Sequence, residues 1–451
     1  MPSKSIAHLL SKDLPIAFTD KPITGFGGLS IVARFFRRIG LIETFHEALP
    51  DGKNSNNSIR SVEIVLAFLV GVLRGARRFA HVSWLRQDIP LQKMFGFGRP
   101  PSASTITRFF GTFRRIHVEH LWATLSQLAL ARMPVRQWGH TLDLDSTIFV
   151  RYGTQEGSRK GYNPKKRGRP SHHPLLAFLA EAKMVLHVWL RSGNTGTSRG
   201  VVAFLKEALA LMPPGHLIYA VRADSGFCHN DLFSFLETHQ IPYAVSGRFT
   251  STVRKLVVSQ VNGWRPFGPG LEVAETTYQA MGWPYPRRLV LIREQIQEHK
   301  EARGRTLFDC PGYTFHALVT SLEWSAEAVW RFYNSRADSE NRIKEIAEHY
   351  GAKGFCVRGF DGTEAALRLI CFLFNLMALF KQEILKTSEP MLERLRSQLF
   401  VAGAALGWDK GKSVLRIGIK GSLRQRFQQL LERMASLTPT ASQFNLMREI
   451  L

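Results

Sequence analysis

Between residues 138 and 247 the hydrophobic pattern changes period in an order that few folds can satisfy. WGHTLDLDSTIFVRY (138–152) alternates with period 2 and is rich in β-branched residues, so it reads as a strand. LLAFLAE (175–181) and MVLHVWL (184–190) follow as a hairpin, then a glycine-rich turn, RSGNTGTSRG. VVAFLKEALALM (201–212) and DLFSFLETH (231–239) have the helical period, and they alternate with LIYAVRAD (217–224) and IPYAVSG (241–247), which read as strands. The order β-β-β-α-β-α-β lets three strands pair as a meander and then demands crossovers to parallel neighbours. It predicts an α/β fold built on a mixed sheet with flanking helices.

A chain of 451 residues exceeds one ordinary core, so several domains are expected. Residues 1–135 read as a helical N-terminal region, with helices over 31–49, 61–79 and 101–133; Ser102 or Ser104 is placed to cap the last of these. Residues 136–247 are the first part of the α/β core. The stretch 248–320, strand-like and aromatic with many turn residues, reads as a β-rich insertion. The core resumes over 321–385 with one long helix, SAEAVWRFYNSRADSENRIKEIAEHYG (325–351), N-capped by Ser325, and a buried helix at 364–382. Residues 386–451 complete the chain as a basic, helical C-terminal region.

Sixty Lys and Arg against 36 Asp and Glu give a net charge of +24 on a chain that is 45% hydrophobic. Such a chain folds, and its charge calls for a polyanionic partner: DNA, RNA or an acidic membrane surface. Arg77, Arg78, Arg108, Arg114 and Arg115 on small helices suit a DNA-contacting module, and RKGYNPKKRGRP (159–170) is a basic loop able to track a phosphate backbone. The four cysteines form no CxxC, which argues against a zinc knuckle or redox motif and for a reducing cytosol. The first thirty residues lack a secretory pattern. The most apolar windows, 64–73 and 369–380, are too short to span a bilayer and read as core helices, so no membrane partner is expected. P-loop, GxSxG and HExxH patterns are absent.

The chemistry concentrates in carboxylates. Asp143 and Asp145 in LDLDST project from one face of a strand, and a doubly buried strand tolerates such a pair only beside a neutralising cation. Asp224 in RADSGF falls where a strand ends, the position at which α/β sheets bind ligands. A third acid would complete a site for hard Mg2+ or Mn2+, and two such ions can clamp both oxygens of a phosphodiester displacement. The 325–351 helix offers one: Tyr333, Arg336, Glu340 and Lys344 recur at intervals of three, four and four and share a face. Glu340 can then point into the sheet between the two cations, leaving Asp338 and Glu345 for solvent.

Asp145 in DLDST, Asp224 in ADSGF and Tyr333-x2-Arg336-x3-Glu340 resemble the motifs of bacterial insertion-sequence DDE transposases, in the Y-R-E-K branch with a β-rich insertion between the second Asp and the Glu. The resemblance covers roughly 138–380. It implies an RNase H-like core, a metal-binding and catalytic triad of Asp145, Asp224 and Glu340 with two Mg2+ or Mn2+ ions, and DNA contacts from Tyr333 and Arg336. Asp145 is preferred to Asp143 because Thr147 follows it as in the family pattern. The family's Lys, seven residues after the Glu, is replaced here by Ala347, and Lys344 is the nearest lysine on the same face. Further DNA contacts are expected from Arg159, Lys160, Lys165, Lys166, Arg167 and Arg169, and from Trp264 and Trp283 stacking on an unpaired base. The implied function is cleavage at insertion-sequence ends and 3′-OH strand transfer into target DNA. The N-terminal region would bind the terminal inverted repeats, a homodimer would bridge two ends, and the setting would be a bacterial cytoplasm, at the nucleoid. The alternatives are an RNase H-fold nuclease without strand transfer and a domesticated DNA-binding protein without catalysis.

Overall fold

Five strands build the core: β1 (His140–Ser146), β2 (Leu175–Leu179), β3 (Met184–Trp189), β4 (Ile218–Ala223) and β5 (Tyr243–Ser246). They come from a computed structural model that describes residues 16–50, 58–164, 166–259, 261, 263–296, 305–307 and 310–437. Their spatial order is β3-β2-β1-β4-β5. The β3-β2-β1 meander is antiparallel, turning at Lys183 with φ 54°, whereas β1-β4 and β4-β5 are parallel. Helices Val201–Ala210 and Asn230–Thr238 make the crossovers. This is the mixed sheet that the alternation of periods predicts, of the RNase H-like kind that the resemblance implies.

The β-rich stretch is continuous with that sheet. Strand Cys310–Thr320 pairs antiparallel with β5 through Leu318, Val319 and Thr320, covering an edge that would otherwise stand open. Strands Arg287–Gln295, Leu271–Tyr278 and Arg265–Gly268 extend it in turn, preceded by a helix at Ser251–Ser259. One ten-stranded sheet thus carries both the core and the insertion among the described residues.

A single helix organises the other side. Phe360–Phe380 runs on through a π turn at Lys381–Leu385. Over its full run it is long and apolar enough to cross a membrane, longer than the apolar window alone suggests, yet its apolar stretch is wholly buried within the protein. It packs against helix Arg115–Leu130 and against β3. Asn375, the polar residue inside the apolar window, accepts from Val185 N at 2.7 Å and donates to Val185 O at 2.8 Å, so its amide satisfies backbone on an edge strand. Glu364 and Arg368, both fully buried, pair with each other, and Arg368 also holds Glu119.

The N-terminal helices pack into the same hydrophobic core as the sheet. The helix expected over 31–49 is two, Leu29–Arg38 and Leu41–Ala48, separated at Gly40 with φ 72°, a left-handed conformation suited to glycine. That over 101–133 is also two, Ala103–Gly111 and Arg115–Leu130, with Ser102 capping the first by accepting from Thr105 N at 3.2 Å. Arg115 is taken up by Glu119 and Glu364. Two expectations are corrected here. The N-terminal region is not all-α, because Ile23–Thr24 pairs with Ala404–Asp409. The C-terminal region is not all helical, because Ala404–Asp409 and Lys412–Ile417 form a hairpin ahead of the helix Gly421–Ala435.

Candidate active site

The two aspartates of β1 share a face but meet different partners. Asp143 sits opposite Arg222 in the β1-β4 register and is almost fully buried. Arg222 grips it with a fork, Nε to Oδ1 at 2.6 Å and Nη2 to Oδ2 at 2.9 Å. Burial raises the Asp143 pKa even against the pull of Arg222. Both of its oxygens are therefore committed to that fork within the sheet. Asp145 lies at the strand's end, where Oδ1 accepts from Ser146 N at 2.7 Å and Oδ2 pairs with Arg336 at 2.7 Å. Its pKa is pushed up to about 7, first by burial and then by the charges of Asp224 and Glu340, with Arg336 opposing.

Asp224 follows β4 directly and is half-buried. Its Oδ1 accepts from Gly226 N at 2.8 Å, capping the short turn Ser225–Phe227. Because β1 and β4 are parallel neighbours, Asp145 and Asp224 stand at the carboxyl ends of adjacent strands.

The expected continuous helix over 325–351 is broken in two. Ala326–Asn334, capped by Ser325 through Ala328 N, gives way at Ser335 and Arg336 to Ala337–Lys344, then to a π turn over Glu345–His349. The break falls where Arg222 donates to Phe332 O at 2.6 Å and to the Ser335 hydroxyl. One arginine thus ties the Asp143 strand to the point where the helix changes course. Arg336 is buried between Asp145 and Glu340, the latter at 3.6 Å. Burial works against its charge, but Asp145, Tyr333 and Asp224 more than offset this and hold its pKa above the ordinary value. Tyr333 is half-buried beside Trp330 and bonds to Ser246. The Glu340 side chain is 70% exposed. Lys344 is exposed too and makes no ion pair among the described residues. Asp338 pairs with Arg342, and Glu345, expected in solvent, is buried and accepts from Leu392 N at 2.7 Å.

Asp145, Asp224 and Glu340 offer only oxygen donors, as a hard divalent cation requires. Among the described residues no three His, Cys, Asp or Glu side chains converge closely enough to ligate one ion. Instead the Arg336 guanidinium spans Asp145 and Glu340 and supplies positive charge there, while its buried Nε has no partner. The residues fit the group in donor type and charge demand, with Arg336 as the cation now meeting that demand.

Arg159–Lys160 forms a short strand beside Pro170–His172, and Arg159, Lys160, Lys166, Arg167 and Arg169 are exposed; Lys165 lies outside the described residues. Lys166 donates to Tyr152 Oη at 2.6 Å. Trp283 is buried edge-on to Phe233 with Arg287 over its ring at 4.9 Å, so it is a core residue in this conformation. Trp264 is half-buried beneath Arg293, 4.6 Å from its centroid. Arg265, Arg287 and Arg288 are engaged by Glu275, Glu237 and Glu327.

Two contributors escaped notice in the sequence. Arg222 was legible in principle: in YAVRAD it shares a strand face with Asp224, one strand away from the Asp143 and Asp145 face. His173 follows the basic stretch and carries no motif of its own, yet it is buried, with Nδ1 at 2.8 Å from Thr195 O and Nε2 at 3.1 Å from Ser146 Oγ. The first contact fixes the proton on Nδ1, leaving Nε2 to accept from the serine next to Asp145. Arg191 braces the same glycine-rich turn through the Gly196, Thr197 and Arg199 carbonyls.

An RNase H-like sheet with acids at two adjacent strand ends, the first joined through Arg336 to a third acid on a helix, defines the class of protein. Within it, the chain belongs to the transposase DDE domain group 1 family, whose model matches residues 7–439. Among solved structures, the piggyBac transposase synaptic complex with hairpin DNA is similar over 93% of this chain and 88% of that one, at 12% identity and a TM-score of 0.45. That likeness is too distant to bear on details. No curated protein matches.

Proposed function

We propose that the chain is a DNA transposase that cuts at the ends of its element and joins the freed 3′-OH to target DNA, acting as a homodimer across two ends. The observation that supports it best is the electrostatic coupling of Asp145 to both Asp224 and Glu340, acids from three separate segments. Carboxylates gathered beside a polyanion cost stability unless they hold something positive. Asp145, Asp224 and Glu340 would hold Mg2+ or Mn2+, which when bound supplies Lewis-acid stabilisation of the phosphoryl oxygens and a more acidic water. Arg336, released from Asp145, would turn its guanidinium to the phosphate, where a planar fork is suited to paired oxygens. Tyr333, at the end of the preceding helix, and Lys344, at the end of the following one, would add contacts, and the cations of 159–169 would track the backbone of the end DNA.

The test is a labelled duplex carrying the inverted repeats that flank the gene, incubated with Mg2+ and a target plasmid. Nicked and joined products are expected. Nicking without joining would instead indicate a nuclease, and binding alone a domesticated protein. Asp145→Ala, Asp224→Ala and Glu340→Ala should each abolish cleavage and keep DNA binding; residual cleavage removes that residue from the triad.

A further inference from the structure

We propose that the C-terminal hairpin, with the helix behind it, is a second DNA-binding surface built from elements other than those of the acid site. It rests on the reading above only in the choice of DNA as the polyanion.

The hairpin is anchored at one end and free at the other. Ile23–Thr24 pairs with Ala404 and Ala405 at its base, where Ile417 and Ile419 pack on the main core. The register then runs outward to Trp408 opposite Ser413 and Asp409 opposite Lys412. Lys410 and Gly411 close the turn at φ 48° and 76°, the left-handed pair of a two-residue hairpin loop. Trp408 is 70% exposed at this outer end, and residues 409–413 are exposed with it.

Its charge is nearly all of one sign. From 401 to 431 the chain carries Lys410, Lys412, Arg416, Lys420, Arg424 and Arg426 against the single acid Asp409. All six cations are exposed, and none forms an ion pair among the described residues. Helix Gly421–Ala435 continues the strip by packing on Leu29–Arg38, where a cleft of about 410 Å³ is lined by Arg34, Arg37 and Arg38 beside Leu431 and Met434. Buried arginines at Asp143, Glu237 and Glu364 are neutralised by those acids, whereas these six cations are not. An uncompensated row on a fixed scaffold calls for negative charge from outside.

The shape selects the partner. A two-stranded ribbon fits the major groove of duplex DNA, roughly 12 Å wide. Cations along its sides then meet the phosphates, and the tip ring lies against sugar or base edges. A second copy pairing on the open edge of Lys412–Ile417 is the competing occupant, but it would set these cations against their own copies.

The experiment uses the full chain and a labelled duplex of arbitrary sequence, in EDTA, with fluorescence anisotropy between about 50 and 200 mM salt. Replacing Lys410, Lys412 and Arg416 together by Ala should lower the magnitude of the salt exponent by about 3, near 0.9 per lost phosphate contact, and weaken binding more than tenfold. Trp408→Ala should weaken binding with the exponent unchanged. If the triple variant melts early, Lys410→Gln and Lys412→Gln singly should each lower the exponent by about 1. An unaltered exponent and affinity overturns the proposal. So does a change of oligomeric state in sedimentation without a change in exponent, which would make the hairpin a self-association surface. Since neither metal nor end sequence is used, a failed cleavage assay sinks the catalytic reading without touching this result.

Discussion

Asp145 titrates at about 7 in the folded chain against 3.8 for a solvated aspartate, and that difference must appear in stability. As pH rises the unfolded chain gives up this proton first, so between about pH 4 and pH 7 the native state holds more protons and loses stability with rising pH. At about 1.4 kcal/mol per tenfold change in proton affinity, the loss reaches roughly 4 kcal/mol at neutral pH. Its cause is a carboxylate buried near Asp224 and Glu340, only partly offset by Arg336. Asp145→Asn keeps the shape and removes the charge. In EDTA, denaturant unfolding at about pH 4 and about pH 8 should show the variant gaining on the wild type by up to about 4 kcal/mol across that interval. Mg2+ should then stabilise the wild type at the higher pH and leave the variant unmoved, since binding needs the ionised carboxyl. A difference between variant and wild type that is the same at both pH values would refute the buried, like-charged cluster.

Other positions give sharp expectations. Arg222→Ala strands Asp143 as a lone buried acid and should cost about 3–5 kcal/mol in denaturant unfolding; a loss below about 1 kcal/mol would mean the fork contributes little. Glu340→Gln, on an exposed side chain, should leave stability within about 0.5 kcal/mol while abolishing cleavage of end DNA. Trp283→Ala should lower stability by about 3–5 kcal/mol while the folded variant keeps its DNA affinity; a selective loss of affinity at unchanged stability would restore base stacking as its role.

The order of strands and helices along the chain and the two strand-end aspartates were legible because both are local. Period 2 against period 3.6 separates strand from helix, and RADSGF announces a strand end within six residues. What was hidden depends on partners distant in the chain. Nothing within NSRAD marks a helix break, since it lacks Gly and Pro; the break coincides with bonds from Arg222, more than a hundred residues earlier. Asp143 and Asp145 both alternate onto one face in LDLDST, and beyond the family pattern at Thr147 it is the register opposite Arg222 that shows their different partners. In LGWDKGKSVLRI the two strands are short and the cations resemble a basic helix, so the alternation was overlooked despite a Lys-Gly turn. Trp264 and Trp283 sit among arginines in sequence, but those arginines are answered by Glu237, Glu272 and Glu275.

The chain leaves the core at Ser246 and returns beside it at Leu318, the two residues facing each other across one ladder. The acid-bearing segment starts at Ser325, only a few residues later. Everything between departure and return is therefore a detour whose length is decoupled from the spacing of the three carboxylates. Residues added at its outermost turn, around the exposed Pro269 between Arg265–Gly268 and Leu271–Tyr278, should leave the catalytic geometry as it is, which makes that turn the natural graft point for a foreign domain.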